Sequence, residues 1–191
     1  ATDCLSQAGG DLELLMVKKA REPQKSETYE ADVIVIGGGG SGLAAAVSAH
    51  QNGADVIVLE KLGMVGGSTI FSGGAMNAAD PERSASITMT ESNEAAIQKL
   101  LDKAPFDDYE KELQEKVAEQ FHEYNVSGKT GLFDSAQLHM LQTYSGGDYE
   151  GDPELITIMC ENALDATAWM ESLGAEWKDG LSAATGSLWQ R

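Results

Sequence analysis

The chain has 191 residues, enough for one domain of moderate size with a stable core. It carries 31 Asp and Glu against 13 Lys and Arg, a formal net charge of -18. That acidity argues against nucleic acid or an anionic membrane surface as a partner, because both demand a basic face. No apolar run approaches the roughly 20 residues needed to span a bilayer, and the first residues lack a basic segment followed by an apolar one.

Residues 1–17, ATDCLSQAGGDLELLMV, read as the end of a helix, a stop at Gly9-Gly10 and a short apolar continuation. Residues 18–30, KKAREPQKSETYE, are charged, contain Pro23 and lack apolar periodicity, as expected of an exposed linker. A disordered N-terminal tail is an equal reading of the same stretch.

Ala31 to Glu60, ADVIVIGGGGSGLAAAVSAHQNGADVIVLE, packs a strand, a glycine turn, a helix, a second strand and a carboxylate into one unit. Val33 to Ile36 is a continuous apolar run, as in a parallel strand buried on both faces. Gly37, Gly39 and Gly42 supply G-x-G-x-x-G. The first glycine suits a tight turn, the second close approach of backbone to a pyrophosphate, and the third close packing of helix Ser41 to Gln51 on the sheet. The helix opens at the glycines, so its free N–H groups and dipole face the phosphates. Asn52-Gly53 stops it, Val56 to Leu59 forms the second strand, and Glu60 arrives where a carboxylate accepts hydrogen bonds from ribose hydroxyls. An acid there disfavours a ribose 2′-phosphate.

KLGMVGGSTIFSGGAMNAAD follows, a second cluster of small residues that a simple nicotinamide-binding fold does not call for. Gly66-Gly67 and Gly73-Gly74 permit close backbone approach, and Ser68 and Thr69 supply hydroxyl donors, which suits a loop laid along a bulky cofactor. Further on, ESNEAAIQKLLDKA and DYEKELQEKVAEQFHEY read as two acidic helices separated at Pro105. Pairs such as Glu112 and Lys116 favour a solvated face, while Leu113, Val117, Phe121 and Tyr124 can pack inward. In the last helix Asp152 caps the start and Pro153 takes the first position. Leu155, Ile158, Met159, Ala163, Ala166, Trp169, Met170 and Leu173 trace an apolar stripe expected to face the core, and Gly174 ends the helix. Trp169, Trp177 and Trp189 read as packing residues. Cys4 and Cys160 read as free thiols. His50, His122 and His139 share no metal-ligand spacing, so no metal site is expected.

The combination of IGGGGSG, LEK, GGST and SGGAMNAA resembles the flavoprotein domain of the fumarate reductase and flavocytochrome c family, which includes urocanate reductases. The resemblance covers residues 31–191, with Ser68 where Asn is common. It implies an α/β fold, a Rossmann-like FAD-binding domain whose parallel sheet is incomplete in this chain, plus an acidic helical insertion at about residues 90–130. It implies that Gly37, Gly39, Ser41 and Gly42 contact the FAD pyrophosphate, Glu60 the adenosine ribose, and Ser68, Thr69, Gly73 and Gly74 the ribityl and isoalloxazine part. Membrane-bound relatives attach FAD through a histidine near this loop, and no histidine lies between Lys61 and Asp80, so FAD is expected to be noncovalent.

The activity so implied is hydride transfer from reduced FAD to a conjugated carboxylate such as fumarate, urocanate or another acrylate, with an electron-donor protein or domain as partner. The catalytic Arg and His groups of that family are expected beyond residue 191, which would leave this stretch alone inactive, and Arg191 is expected to be a salt-bridge residue. Residues 1–17 resemble the tail of an FMN-binding module. A flavin dehydrogenase of the ketosteroid type and a non-catalytic nucleotide-binding fragment are the alternatives.

Overall fold

The computed structural model describes residues 27–183 and 189–191, so the readings for residues 1–17 and most of the linker lie outside the described residues. The chain divides into two compact units, Ala1–Ser72 and Gly73–Arg191.

In the first unit, strands β1 (Val33–Ile36) and β2 (Val56–Leu59) pair in parallel, with Val33 opposite Val56 and Ile36 opposite Leu59. Helix α1 (Gly40–Gln51) makes the crossover and packs on both strands. At the strand starts, the Asp55 N–H donates to the Asp32 carboxylate at 2.9 Å and the Asp32 N–H donates to the Asp55 carbonyl at 3.0 Å. Past the strands the pairing continues, with the Gly37 N–H on the Leu59 carbonyl at 2.8 Å and a parallel bridge between Gly39 and Gly66. A short 3₁₀ turn follows at Gly67–Phe71. The expectation that β1 is buried on both faces is corrected. Its residues alternate, with Ile34 56% and Ile36 86% exposed, because α1 covers one face of a two-stranded sheet and no described residue of this unit covers the other.

The second unit is helical: α2 (Pro81–Ser84), α3 (Glu91–Leu101), α4 (Asp108–Val126), α5 (Ala136–Gly146) and α6 (Pro153–Ser172). The two acidic helices of the sequence are α3 and α4. Leu113, Val117 and Phe121 recur every four residues along α4 and are buried, while the charges between them stay in water. Helix α5 packs on both α4 and α6. Together with Ile97, Leu138, Leu141 and Ile156 these side chains form the core, at about 1.5 to 3 kcal/mol for each large apolar side chain fully buried.

Each of these five helices has a side-chain N-cap, from Asp80, Thr90, Asp107, Ser135 and Asp152 in turn. Asp152 and Pro153 start α6 as the sequence indicates. The stripe assigned to its core face is corrected in part: Ala163 is buried as expected, but the other buried positions, Ile156 and Cys160, lie outside the stripe, while Leu155, Ile158, Met159 and Leu173 are about half exposed or more. Both faces of this helix are apolar, and periodicity alone cannot rank them. Cys160 is a free thiol, and Trp189 is buried, with its indole N–H donating to the Phe133 carbonyl at 3.2 Å. Among the described residues no helix is long and apolar enough to cross a membrane.

Candidate cofactor site

The site begins where β1 runs out. Gly37 adopts φ +102°, a backbone conformation that L side chains rarely take, and this turns the chain into α1. A Cβ added at Gly42 would sit 1.9 Å from the Gly37 carbonyl oxygen, so the first turn of α1 can close on the strand end only with glycine there. A Cβ added at Gly39 meets nothing within 4 Å. Gly39 therefore gains nothing from the protein by lacking a side chain, and the space it leaves is open to a ligand. The tight turn at Gly37 and the close packing at Gly42 match what the spacing of the glycines predicts.

The α1 N-terminus is chemically unlike the other helix starts. Gly39 occupies the cap position and offers no side-chain acceptor, so no side chain caps the first turn, where Ser41 is exposed. Glu60 follows β2. Its Oε2 accepts from the Gly38 N–H at 2.7 Å and its Oε1 from the Leu62 N–H at 2.8 Å. The backbone N–H groups of Leu62 and Gly38 hold this carboxyl below its usual range, so it is an anion at neutral pH.

Ser68 and Thr69 lie in the 3₁₀ turn and are exposed. The Thr69 side chain stands against the start of α1, since a Cβ added at Gly40 would come within 2.6 Å of its Oγ1. The first unit thus brings together Gly37, Gly39, Ser41, Gly42, Glu60, Ser68 and Thr69, whereas Gly73 and Gly74 begin the second, with open space around both. Sequence reasoning gave no role to Gly38 and Gly40, which the structure places in the same turn, and read Gly66 only as a point of close backbone approach. The available signal was the unbroken run of four glycines, which exceeds what the motif requires.

Arg191 forms a bidentate pair with Asp134, at 2.9 and 2.8 Å, with both side chains buried. It is a salt-bridge residue, as expected. Burial pushes the Asp134 carboxyl up to about 6 despite the guanidinium, and burial, helped by Arg191, pushes the nearby His139 imidazole down to about 4. A cavity of about 610 Å³ in the second unit, bordered by Gln120, Tyr124, Lys129 and Asp134, contains none of the predicted site residues.

A parallel β-α-β unit with a glycine turn, an uncapped crossover helix and an anionic carboxylate after its second strand defines a dinucleotide-binding protein. The chain belongs to the FAD-binding-domain family, whose sequence profile, described as "FAD binding domain", matches residues 32–126 and 124–188. It is 31% identical over 208 aligned residues to an NADH:acrylate oxidoreductase of Vibrio harveyi, covering 100% of this chain and 21% of that protein. It is 33% identical over 150 residues to a urocanate reductase of Eggerthella lenta, covering 78% of this chain and 18% of that one. Among solved structures it is similar in fold to the open conformation of a flavocytochrome c3 fumarate reductase, with a TM-score of 0.55 and 23% identity over 95% of this chain and 24% of that chain. The chain thus spans about a fifth of the length of these curated relatives.

Proposed function

We propose that this chain is the FAD-binding portion of an ene-reductase that passes hydride from reduced FAD to a conjugated carboxylate of the fumarate, urocanate or acrylate type. The observation that carries the cofactor part is the uncapped α1 N-terminus beside the open space at Gly39, with the Glu60 carboxylate bonded to the same turn. Gly37, Gly39, Ser41 and Gly42 would hold the pyrophosphate through backbone N–H groups, and Glu60, an anion with free lone pairs, would accept from the ribose hydroxyls. Ser68, Thr69, Gly73 and Gly74 would line the flavin end. Bound FAD supplies the hydride chemistry, and this chain's own residues bind and orient it. The absence of histidine between Lys61 and Asp80 supports a noncovalent flavin.

The substrate class rests on the names of the relatives, one an acrylate and one a urocanate enzyme. The direct test reduces the flavin anaerobically in the polypeptide that carries this chain, then adds acrylate, fumarate or urocanate and follows flavin reoxidation. Fast reoxidation by at least one of them is expected. Reoxidation by none, with oxygen still effective, contradicts the substrate class while leaving the cofactor assignment standing.

A further inference from the structure

The second glycine cluster and Glu60 meet on a single residue, Gly38, through the two peptide units that flank its Cα. The Gly38 N–H donates to Glu60 Oε2 at 2.7 Å, and the Gly38 carbonyl accepts from the Gly66 N–H, also at 2.7 Å. Gly38 is itself buried, and a Cβ added to it would lie 2.9 Å from Val65 Cγ1 and 3.2 Å from Glu60 Oε2. On the next residues, Gly39 bridges Gly66 and Gly40 backs onto Thr69. The glycine turn is therefore gripped on one side by the acid after β2 and on the other by the segment Val65 to Thr69, all within the first unit and with no ligand needed to make the bonds.

We propose that Glu60 is a positioning residue for the glycine turn as well as a ribose acceptor, and that with Gly66 it fixes the two peptides flanking Gly38 in binding-ready shape before FAD arrives. The inference rests on the cofactor reading given above and deepens it. Two features allow both roles. A carboxylate has about four acceptor lone-pair sites, and the bonds to Gly38 and Leu62 occupy two of them, one on each oxygen. Fixing the turn in advance also removes part of the ordering entropy that FAD would otherwise have to overcome on binding.

A ribose acceptor alone and a turn-positioning acid differ in a measurable way without FAD. In the FAD-free full chain, amide hydrogen exchange followed by NMR should show Gly38 protected. Glu60→Ala should raise its exchange at least 10-fold, and Glu60→Gln should raise it by less, because the amide keeps one acceptor oxygen. The α1 amide of Val47 serves as the folding control and should not change in Glu60→Gln. FAD association, measured by stopped-flow flavin fluorescence, should slow in the same order.

Unchanged Gly38 exchange in both variants, with weakened FAD affinity, would overturn the positioning role and keep the ribose contact. Faster Gly38 exchange seen only together with faster Val47 exchange would also overturn it, since the effect would then be loss of the unit. Absence of FAD binding by the wild-type chain, with Gly38 protected and sensitive to Glu60, would count against the cofactor reading while supporting the internal bond.

Discussion

The two units of this chain solve the same problem in opposite ways. The helical unit is closed, since its five helices among the described residues are capped by their own side chains and apolar residues from α3 to α6 form one core. In the β-α-β unit, Ala46 is the one buried apolar side chain among the described residues, α1 is uncapped, and Ile34, Ile36, Leu59, Leu62, Met64 and Phe71 are exposed. Unmet hydrogen-bonding capacity is rare in a finished structure. Among the described residues the buried unpartnered side-chain atoms, such as Ser84 Oγ and His139 Nδ1, lie in the helical unit, whereas the β-α-β unit leaves its uncapped α1 start open at the glycine turn. The lesson is that the open unit depends on what binds it, while the closed unit depends on itself, so perturbations should separate cleanly between them.

The largest effect should come from Gly42→Ala, whose Cβ would collide with the Gly37 carbonyl. Complete loss of FAD loading is expected, with the helical unit intact by circular dichroism. Retained loading would show that the turn can relax. Gly39→Val sharpens the contrast, because its side chain enters space the protein leaves open, and the β-α-β unit should keep its amide protection while flavin is excluded.

In the closed unit, Asp134→Asn removes one partner of a buried pair and leaves the Arg191 guanidinium uncompensated. A destabilisation of about 3 to 5 kcal/mol in urea unfolding is expected. FAD affinity below the transition should not move. If affinity falls in parallel with stability, the two units are not separable in this way.

A smaller effect should appear with pH. His139 is buried with Nδ1 unpartnered and its pKa falls from 6.5 to about 4, so the folded state resists its protonation and stability is lost as pH falls from 6.5 toward 4. Asp134 acts in the opposite sense. Its folded pKa of about 6 lies above its ordinary 3.8, so stability is lost as pH rises between those values. The two slopes oppose each other between about pH 4 and 6, and His139→Gln should leave the Asp134 slope alone. That variant should gain stability relative to the wild type as the medium is acidified from pH 6.5 to 4, and a parallel pair of stability curves would contradict the assignment. Smallest of all, Asp152→Ala should cost about 1 kcal/mol by uncapping α6, with no change in flavin binding.

Much of the open unit was legible in the sequence, because its constraints are local. Glycine spacing, two runs of β-branched residues and an acid after the second run specify β1, α1, β2 and the position of Glu60 within one or two residues. The bonds from Glu60 to Gly38 and Leu62 were not legible, since a motif says which residue types are needed but not which peptide faces them.

The closed unit reads less well, for a different reason. Helix α5 buries Leu138, His139, Met140, Leu141, Gln142 and Tyr144, so it has little polar face from which a period could be recognised. Helix α6 carries two apolar faces, and the more regular one is the exposed one. The cap at Asp152 was the dependable signal there, because a cap acts on its own backbone wherever the helix packs.

The most direct test of the central claim, that the open unit is a noncovalent FAD site built on the glycine turn, is an FAD titration of the full chain and of its Gly39→Val variant, followed by acid precipitation. A saturable flavin spectrum is expected in the wild type, with all flavin released by acid, and a folded, colourless variant. Equal flavin uptake by the variant, or flavin that stays with the precipitated protein, would contradict it.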